Sequence, residues 1–228
     1  LSYLPSDGRN LAQMAAEAFR NAAGRGGQLD ISIVKRIPVC AGMAGGSSDA
    51  AAVLRAMNEL TGAGYTPAEL AKIGEAVGSD VPYCVLGCTA LAEGRGEKLT
   101  CLPALPDCHI VLCKPGFSVS TPELFRRIDE LKLRFHPDTA GVLAALEEGD
   151  LAGVSRRMFN VFEEALPAQR RAVVEEIKST LLSCGALGAC MSGTGPTVFG
   201  IFDDAEAARR VADELRQSYA ETFLTKNV

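Results

Sequence analysis

The residues best placed to do chemistry lie in one run, PVCAGMAGGSSDAAAVL, which starts at Pro38 and sets Gly42, Gly45 and Gly46 with Ser47 and Ser48 against an alanine-rich helical pattern. The first turn of a helix carries unpaired backbone N–H groups and a partial positive charge, so an anion docks there readily. Glycines let that backbone come close and adopt positive φ, and the serines add hydroxyl donors. A polyphosphate meets those needs. A plain tight turn with a serine N-cap uses the same residue types, and composition alone leaves that reading open. Other phosphate signatures are missing. No lysine follows the glycines as G-x-x-x-x-G-K-[ST] requires, G-x-G-x-x-G does not occur between a strand and a helix, and there is no G-x-S-x-G elbow.

The elements around the run follow from periodicity and caps. Residues 10–23 show helical spacing, with Asp7 and Gly8 as a start signal, and LDISIVKRIP alternates Leu29, Ile31 and Ile33 against polar neighbours as a half-buried strand does. The order is then strand, glycine loop and a helix over about residues 47–60, stopping at TGAG. Thr66, Pro67 and Glu69 form a capping box for another helix. CTALAEGRGEKLTCL reads as a hairpin turning at EGRGE, and the prolines of LPALPD place a domain junction there. Beyond it come a strand in HIVLCKPG, a Thr-Pro-Glu helix start at Thr121 with Thr121 as its cap, and helices opening at Asp150 and Pro167. ALGACMSGTGPTVFGIFDD reads as a strand pair around a glycine turn, followed by a helix over about 205–219 and a strand in ETFLTKN. Strands in one layer and helices in the other make the chain α+β, with domains expected at 1–104 and 105–228.

Composition narrows the functions. In 228 residues, 47% are hydrophobic and 22% charged, an ordinary globular mixture, and a net charge of −5 gives no broad basic field for nucleic acid. The eight cysteines are irregularly spaced with no C-x-x-C, which fits reduced core thiols better than a disulfide scaffold. His109 and His136 are the two histidines, too few for a histidine-based zinc site. No apolar run reaches spanning length and nothing at the start resembles a signal peptide, so the expectation is a soluble cytoplasmic protein. The opening LSYLPSDGRN lacks an initiator methionine, which suits a fragment or a processed chain.

KRIPVCAGMAGGSSDAAAVLRAMN resembles the second motif of the GHMP kinases (galactokinase, homoserine kinase, mevalonate kinase, phosphomevalonate kinase), and within them the branch whose acceptor is a cytidylyl methylerythritol. That branch reads Gly-Leu-Gly-Gly-Gly-Ser-Ser in the loop. Met43 and Ala44 depart from it, and Ala44 calls for a backbone conformation that alanine tolerates. GSDVPYCVLGCTALAEGRGEKL is similar to the stretch that carries the family's catalytic aspartate, here Asp80. CKPGFSVSTPELF resembles its substrate-side segment, with Thr121, and GALGACMSGTGPTVFGIF its third motif, with Ser192, Gly193, Thr194 and Gly195 near the phosphates. The matches run from Asn10 to about Phe202 in the family's order.

The resemblance implies a two-domain GHMP kinase fold, an incomplete ribosomal-protein-S5-domain-2-like amino-terminal domain and a ferredoxin-like carboxy-terminal one. It implies ATP-dependent phosphorylation of the 2-hydroxyl of that acceptor in non-mevalonate isoprenoid synthesis, with Mg2+ as the second cofactor. Pro38, Val39, Cys40 and Ala41, then Gly42, Met43, Ala44, Gly45 and Gly46, with Ser47 and Ser48, would wrap the triphosphate, and Ser48 would approach Mg2+. Asp80 would accept the hydroxyl proton, although an Asp there is also a good N-cap. Asn10 and Lys35 match positions near the nucleotide, but Lys35 beside Arg36 reads equally as a solvated surface charge, and Asp49 as a first-turn residue suited to the helix dipole. The partner expected is the small-molecule substrate, with neither nucleic acid nor membrane, and a homodimer is left open. The family's opening Lys-hydrophobic-Asn strand and Asp-Gly-Tyr-His stretch do not occur in this sequence, so the chain as given is expected to be inactive or poorly active. Another GHMP kinase, or a nucleotide-binding piece without activity, remains an alternative.

Overall fold

The computed structural model describes residues 8–25, 27–133 and 135–227, and the chain divides into two compact units. The first comprises the described residues of Leu1–Ile37 with Ala44–Leu102, and the second Pro38–Met43 with Pro103–Val228. The glycine run is thus shared: Pro38–Met43 packs with the second unit, and the helix it leads into belongs to the first.

The first unit is a helical cluster with one hairpin. Helix α1 (Leu11–Ala23) starts at Asn10, whose side chain accepts from the Ala12 amide at 3.0 Å, and ends at left-handed Gly24. Asp7, expected as part of the start signal, lies outside the described residues. Helix α2 (Gly45–Thr61) stops at left-handed Gly62, and α3 (Pro67–Gly74) opens with the Thr66–Glu69 capping box. Helix α4 (Val81–Leu86) leads into β1 (Ala90–Glu93), paired antiparallel with β2 (Lys98–Cys101). Alanines 15, 16, 50 and 51 are buried and let α1 and α2 lie close, while Phe19, Leu54, Met57 and Val81 fill the space between the helices. Burying one such large side chain contributes about 1.5–3 kcal/mol.

The strand expected in LDISIVKRIP, residues 29–38, does not form. Among the described residues this stretch pairs with nothing, and Ile31 and Ile33 are each 38% exposed, with Val34 at 79%. Alternation of side chains marks a strand only where a neighbouring strand takes up the backbone hydrogen bonds, and no described segment does so here.

The second unit is built on β3 (His109–Lys114). Helices α5 (Thr121–Glu130), α6 (Thr139–Glu147), α7 (Leu151–Arg156), α8 (Phe162–Ala165) and α9 (Ala168–Ser183) follow, and then β4 (Gly188–Met191), β5 (Val198–Phe202), α10 (Ala205–Arg216) and β6 (Glu221–Lys226). The sheet runs β4-β5-β3-β6, antiparallel throughout, the strand order of a ferredoxin-like unit. Val111, Val198 and Phe202 from the sheet pack with Leu124, Ile177, Leu181, Val211 and Leu215 from the helices. Asp150 caps α7 by accepting from the Gly153 amide at 2.8 Å. The cap of α5 is Ser120, not Thr121. Ser120 holds that place by backbone position alone, with no side-chain capping bond, so the helix lacks the capping box seen at Thr66–Glu69. No helix among the described residues is long and apolar enough to cross a membrane.

Candidate active site

Helix α2 begins two residues earlier than its serines suggest. Ala44 is the N-cap, in the left-handed region at φ 47°, and no side chain caps the helix. Ser47 and Ser48 are therefore inside the first turns, and the tight turn with a serine N-cap is not what forms. The amides of Gly45, Gly46 and Ser47 open the helix without a side-chain acceptor, which leaves donors and about half a positive charge for an anion. Neither Ala44 nor Cys40, at φ 53°, sits in a region an L-residue prefers. Alanine at Ala44 therefore carries a conformational cost of about 1–2 kcal/mol and not the easy geometry its small side chain suggests.

Lys35 is no solvated surface charge. Its side chain is 8% exposed, and its ammonium donates to the Gly45 carbonyl at 2.6 Å and pairs with Asp49. Because α2 starts at Gly45, Asp49 lies beyond the first turn, and its charge is matched by Lys35 instead of by the helix end. Asn10 spends one side-chain oxygen on capping α1, and Leu11 next to it packs where a β-carbon on Gly46 would stand, 3.0 Å away. The heads of α1 and α2 are therefore neighbours.

In the second unit Pro38–Met43 is clasped to the turn between β4 and β5. The Ser192 hydroxyl donates to the Gly42 carbonyl at 2.8 Å, and the Thr197 amide donates to the Ala41 carbonyl at 3.3 Å. Gly42 has φ 71°, and a β-carbon on it would fall 2.3 Å from the Ser192 carbonyl oxygen, so only glycine fits. The turn itself is held from behind. Asn160 donates through its two amide hydrogens to the carbonyls of Met191 and Gly193, 2.7 Å each. Glu163 accepts from the Met191 amide at 2.8 Å and pairs with Lys178. Burial, and then the Glu163 carboxylate, push the neighbouring Cys190 thiol up to about 12, so it stays a neutral packing group. Thr121 faces the turn too, its hydroxyl 2.9 Å from that of Thr194. Gly193 is exposed, Gly195 is buried, and the Thr197 hydroxyl is fully buried without a hydrogen-bond partner.

Asp80 stands at the head of α4 with helical backbone angles, φ −89° and ψ −7°, and its side chain makes no capping bond. The N-cap reading accounts for its position and not for its carboxylate, which is exposed. That carboxylate is felt locally: burial first, then the charge of Asp80, raise the Cys84 thiol one turn on, while Arg55 pulls it the other way. Arg55 fixes the far end of the same helix, donating to the Cys84 carbonyl at 2.8 Å. Among the described residues no hydrogen bond or ion pair links Asp80 to residues 44–48.

The structure thus brings Lys35 to Gly45, and Gly42 to Ser192 and Gly195. Asn160, Glu163 and Thr197 were not legible in the sequence. They lie in no recognisable pattern, and their importance comes from contacts across the chain. Among the described residues no group of three or more His, Cys, Asp and Glu side chains converges as a metal nest. The hydroxyls of Ser47 and Ser48 are the side-chain oxygens in the first turns of α2 that could serve as ligands to a hard cation.

Models of the GHMP kinases N terminal domain and of the GHMP kinases C terminal match residues 10–88 and 142–221. The chain is 44% identical over 227 residues to a 4-diphosphocytidyl-2-C-methyl-D-erythritol kinase of Clostridium novyi (strain NT), covering 100% of this chain and 81% of the relative. It is 44% identical over 229 residues to the kinase of the same name from Enterococcus faecalis (strain ATCC 700802 / V583), covering 100% and 80%. A crystal structure of 4-(cytidine 5'-diphospho)-2C-methyl-D-erythritol kinase superposes with a TM-score of 0.79 at 34% identity, over 97% of this chain and 80% of the other. A homoserine kinase from Cytophaga hutchinsonii reaches the same TM-score, 0.79, at 20% identity over 99% and 78%, a likeness of fold alone.

Proposed function

This chain belongs to the GHMP kinases, and from that membership we propose how it works as an ATP-dependent kinase of 4-diphosphocytidyl-2-C-methyl-D-erythritol in non-mevalonate isoprenoid synthesis. Relatives of that name match it end to end across about four fifths of their own length. The observation that carries the mechanism is the uncapped head of α2. Its free amides, approached through a left-handed Ala44, are a donor array for the β- and γ-phosphates of ATP. Lys35 matches the charge of Asp49, so the carboxylate nearest that helix head does not repel the nucleotide. Residues 192–195 fix Gly42 and with it the curvature of the loop that receives the phosphates.

Phosphoryl transfer asks a protein mainly to align the acceptor oxygen and to offset charge that develops on the phosphates. Asp80, uncommitted to capping, is the base for the 2-hydroxyl of the acceptor. An ordinary carboxylate is weak against an alcohol, so it takes the proton late, as the new P–O bond forms. Mg2+, with the Ser48 hydroxyl among its ligands, would offset charge that develops on the phosphates. Thr121 is the substrate-side residue of this reading and Thr194 a phosphate-side one, and their paired hydroxyls offer one donor to a passing ligand. The protein acts on a small molecule in the soluble phase, and we place it in the cytoplasm.

The assignment of Asp80 is checked by Asp80→Asn. Against the parent protein under the same conditions, kcat falls by about 100-fold or more, while the rise in melting temperature produced by magnesium-ATP is kept. Turnover within a few-fold of the parent would remove Asp80 from the chemistry.

A further inference from the structure

Among the described residues the β1–β2 hairpin forms a two-stranded sheet, with its strands mostly exposed. Such a hairpin is marginal without a third strand or a staple. At its open end two thiols meet. Cys88 precedes β1, Cys101 closes β2 opposite Ala90, and their sulfurs are 2.6 Å apart. That is well inside non-bonded sulfur contact and about half an ångström beyond a covalent S–S bond. Just outside the pair the Leu102 amide donates to the Thr89 carbonyl at 2.8 Å, so the backbone already holds the two residues together. Both are free cysteines, Cys101 exposed and Cys88 half-buried, in contrast to the enclosed Cys108, Cys113 and Cys190.

We propose that Cys88 and Cys101 are a reversible redox site, closing as a disulfide across the base of the hairpin when the thiol pool is oxidised. The oxidant is a low-molecular-weight disulfide such as oxidised glutathione. One cysteine thiolate attacks it, forming a mixed disulfide and releasing one glutathione thiol. The second cysteine then attacks the protein sulfur of that mixed disulfide, gives up its proton and releases the second glutathione. Two protein thiols are oxidised and one glutathione disulfide is reduced to two thiols. The chain enters α4 at Asp80 and leaves it at Gly87, just before Cys88, and at the other end of the hairpin a β-carbon on Gly96 would lie 3.4 Å from the Ser79 carbonyl. The bond therefore fastens the hairpin that abuts the residue before Asp80.

The test starts from fully reduced protein equilibrated with graded ratios of oxidised to reduced glutathione, with free thiols then alkylated and the digest mapped by mass. A peptide pair linked through Cys88 and Cys101 is expected, reversed by dithiothreitol, together with a rise in melting temperature of about 5 °C. Cys88→Ser and Cys101→Ser each abolish the linked pair and the rise, and in the reduced state melt within about 2 °C of the parent. The map of the unsubstituted protein stands whether or not the variants fold. The proposal is overturned if both thiols stay alkylatable under oxidation, if glutathione stays attached to either without ring closure, or if either one bonds to another cysteine instead.

Discussion

Ala44 holds a left-handed backbone at φ 47° with no glycine to excuse it. Strain of this kind persists where surrounding structure imposes it, and here what it produces is an open helix head. Ala44→Gly relieves the strain but enlarges the freedom of the unfolded chain, and the first effect is larger. The variant is expected to be about 1 kcal/mol more stable, seen in urea unfolding as a higher midpoint with an unchanged slope. A loss of stability would mean the surrounding loop, and not Ala44, sets that conformation. At this same scale the sequence was partly legible. Residue types named the glycine run and the family resemblance named Asp80, but whether Asp80 caps its helix, or Lys35 is solvated, depends on partners that only folding supplies.

The elements were read best where their ends carry side-chain chemistry. The Thr66 capping box, the Asp150 cap and the EGRGE hairpin are local events, decided within four or five residues, and each forms as the spacing requires. The 29–38 stretch failed for the opposite reason, since a strand is a relation to a distant partner. The β4–β5 hairpin stands between these cases. Its strands were legible, but the residue that fixes its turn, Asn160, lies about thirty positions away and was not. Asn160→Ala leaves two turn carbonyls without their donor and is expected to cost about 1–3 kcal/mol. It also loosens the anchor of Gly42, so the apparent Kd for magnesium-ATP rises several-fold by calorimetry. A loss of stability with unchanged affinity would confine Asn160 to a structural part.

For the molecule as a whole, family motifs in order along the chain disclosed the α+β class and the two-part GHMP plan, because they span most of its length. They did not disclose that Pro38–Met43 packs with the second unit while α2 belongs to the first. The bond between Ser192 and Gly42 joins residues 150 positions apart, and no local pattern announces such a contact. In the proposed site the amides at the head of α2 are where nucleotide binding must register. Backbone hydrogen exchange across residues 38–48, followed as magnesium-ATP is titrated, reads this directly. The amides of Gly45, Gly46 and Ser47 should slow in step with a melting temperature that climbs with the logarithm of nucleotide concentration. Saturation with nucleotide that leaves those three amides exchanging as before would contradict a triphosphate seated at the head of α2.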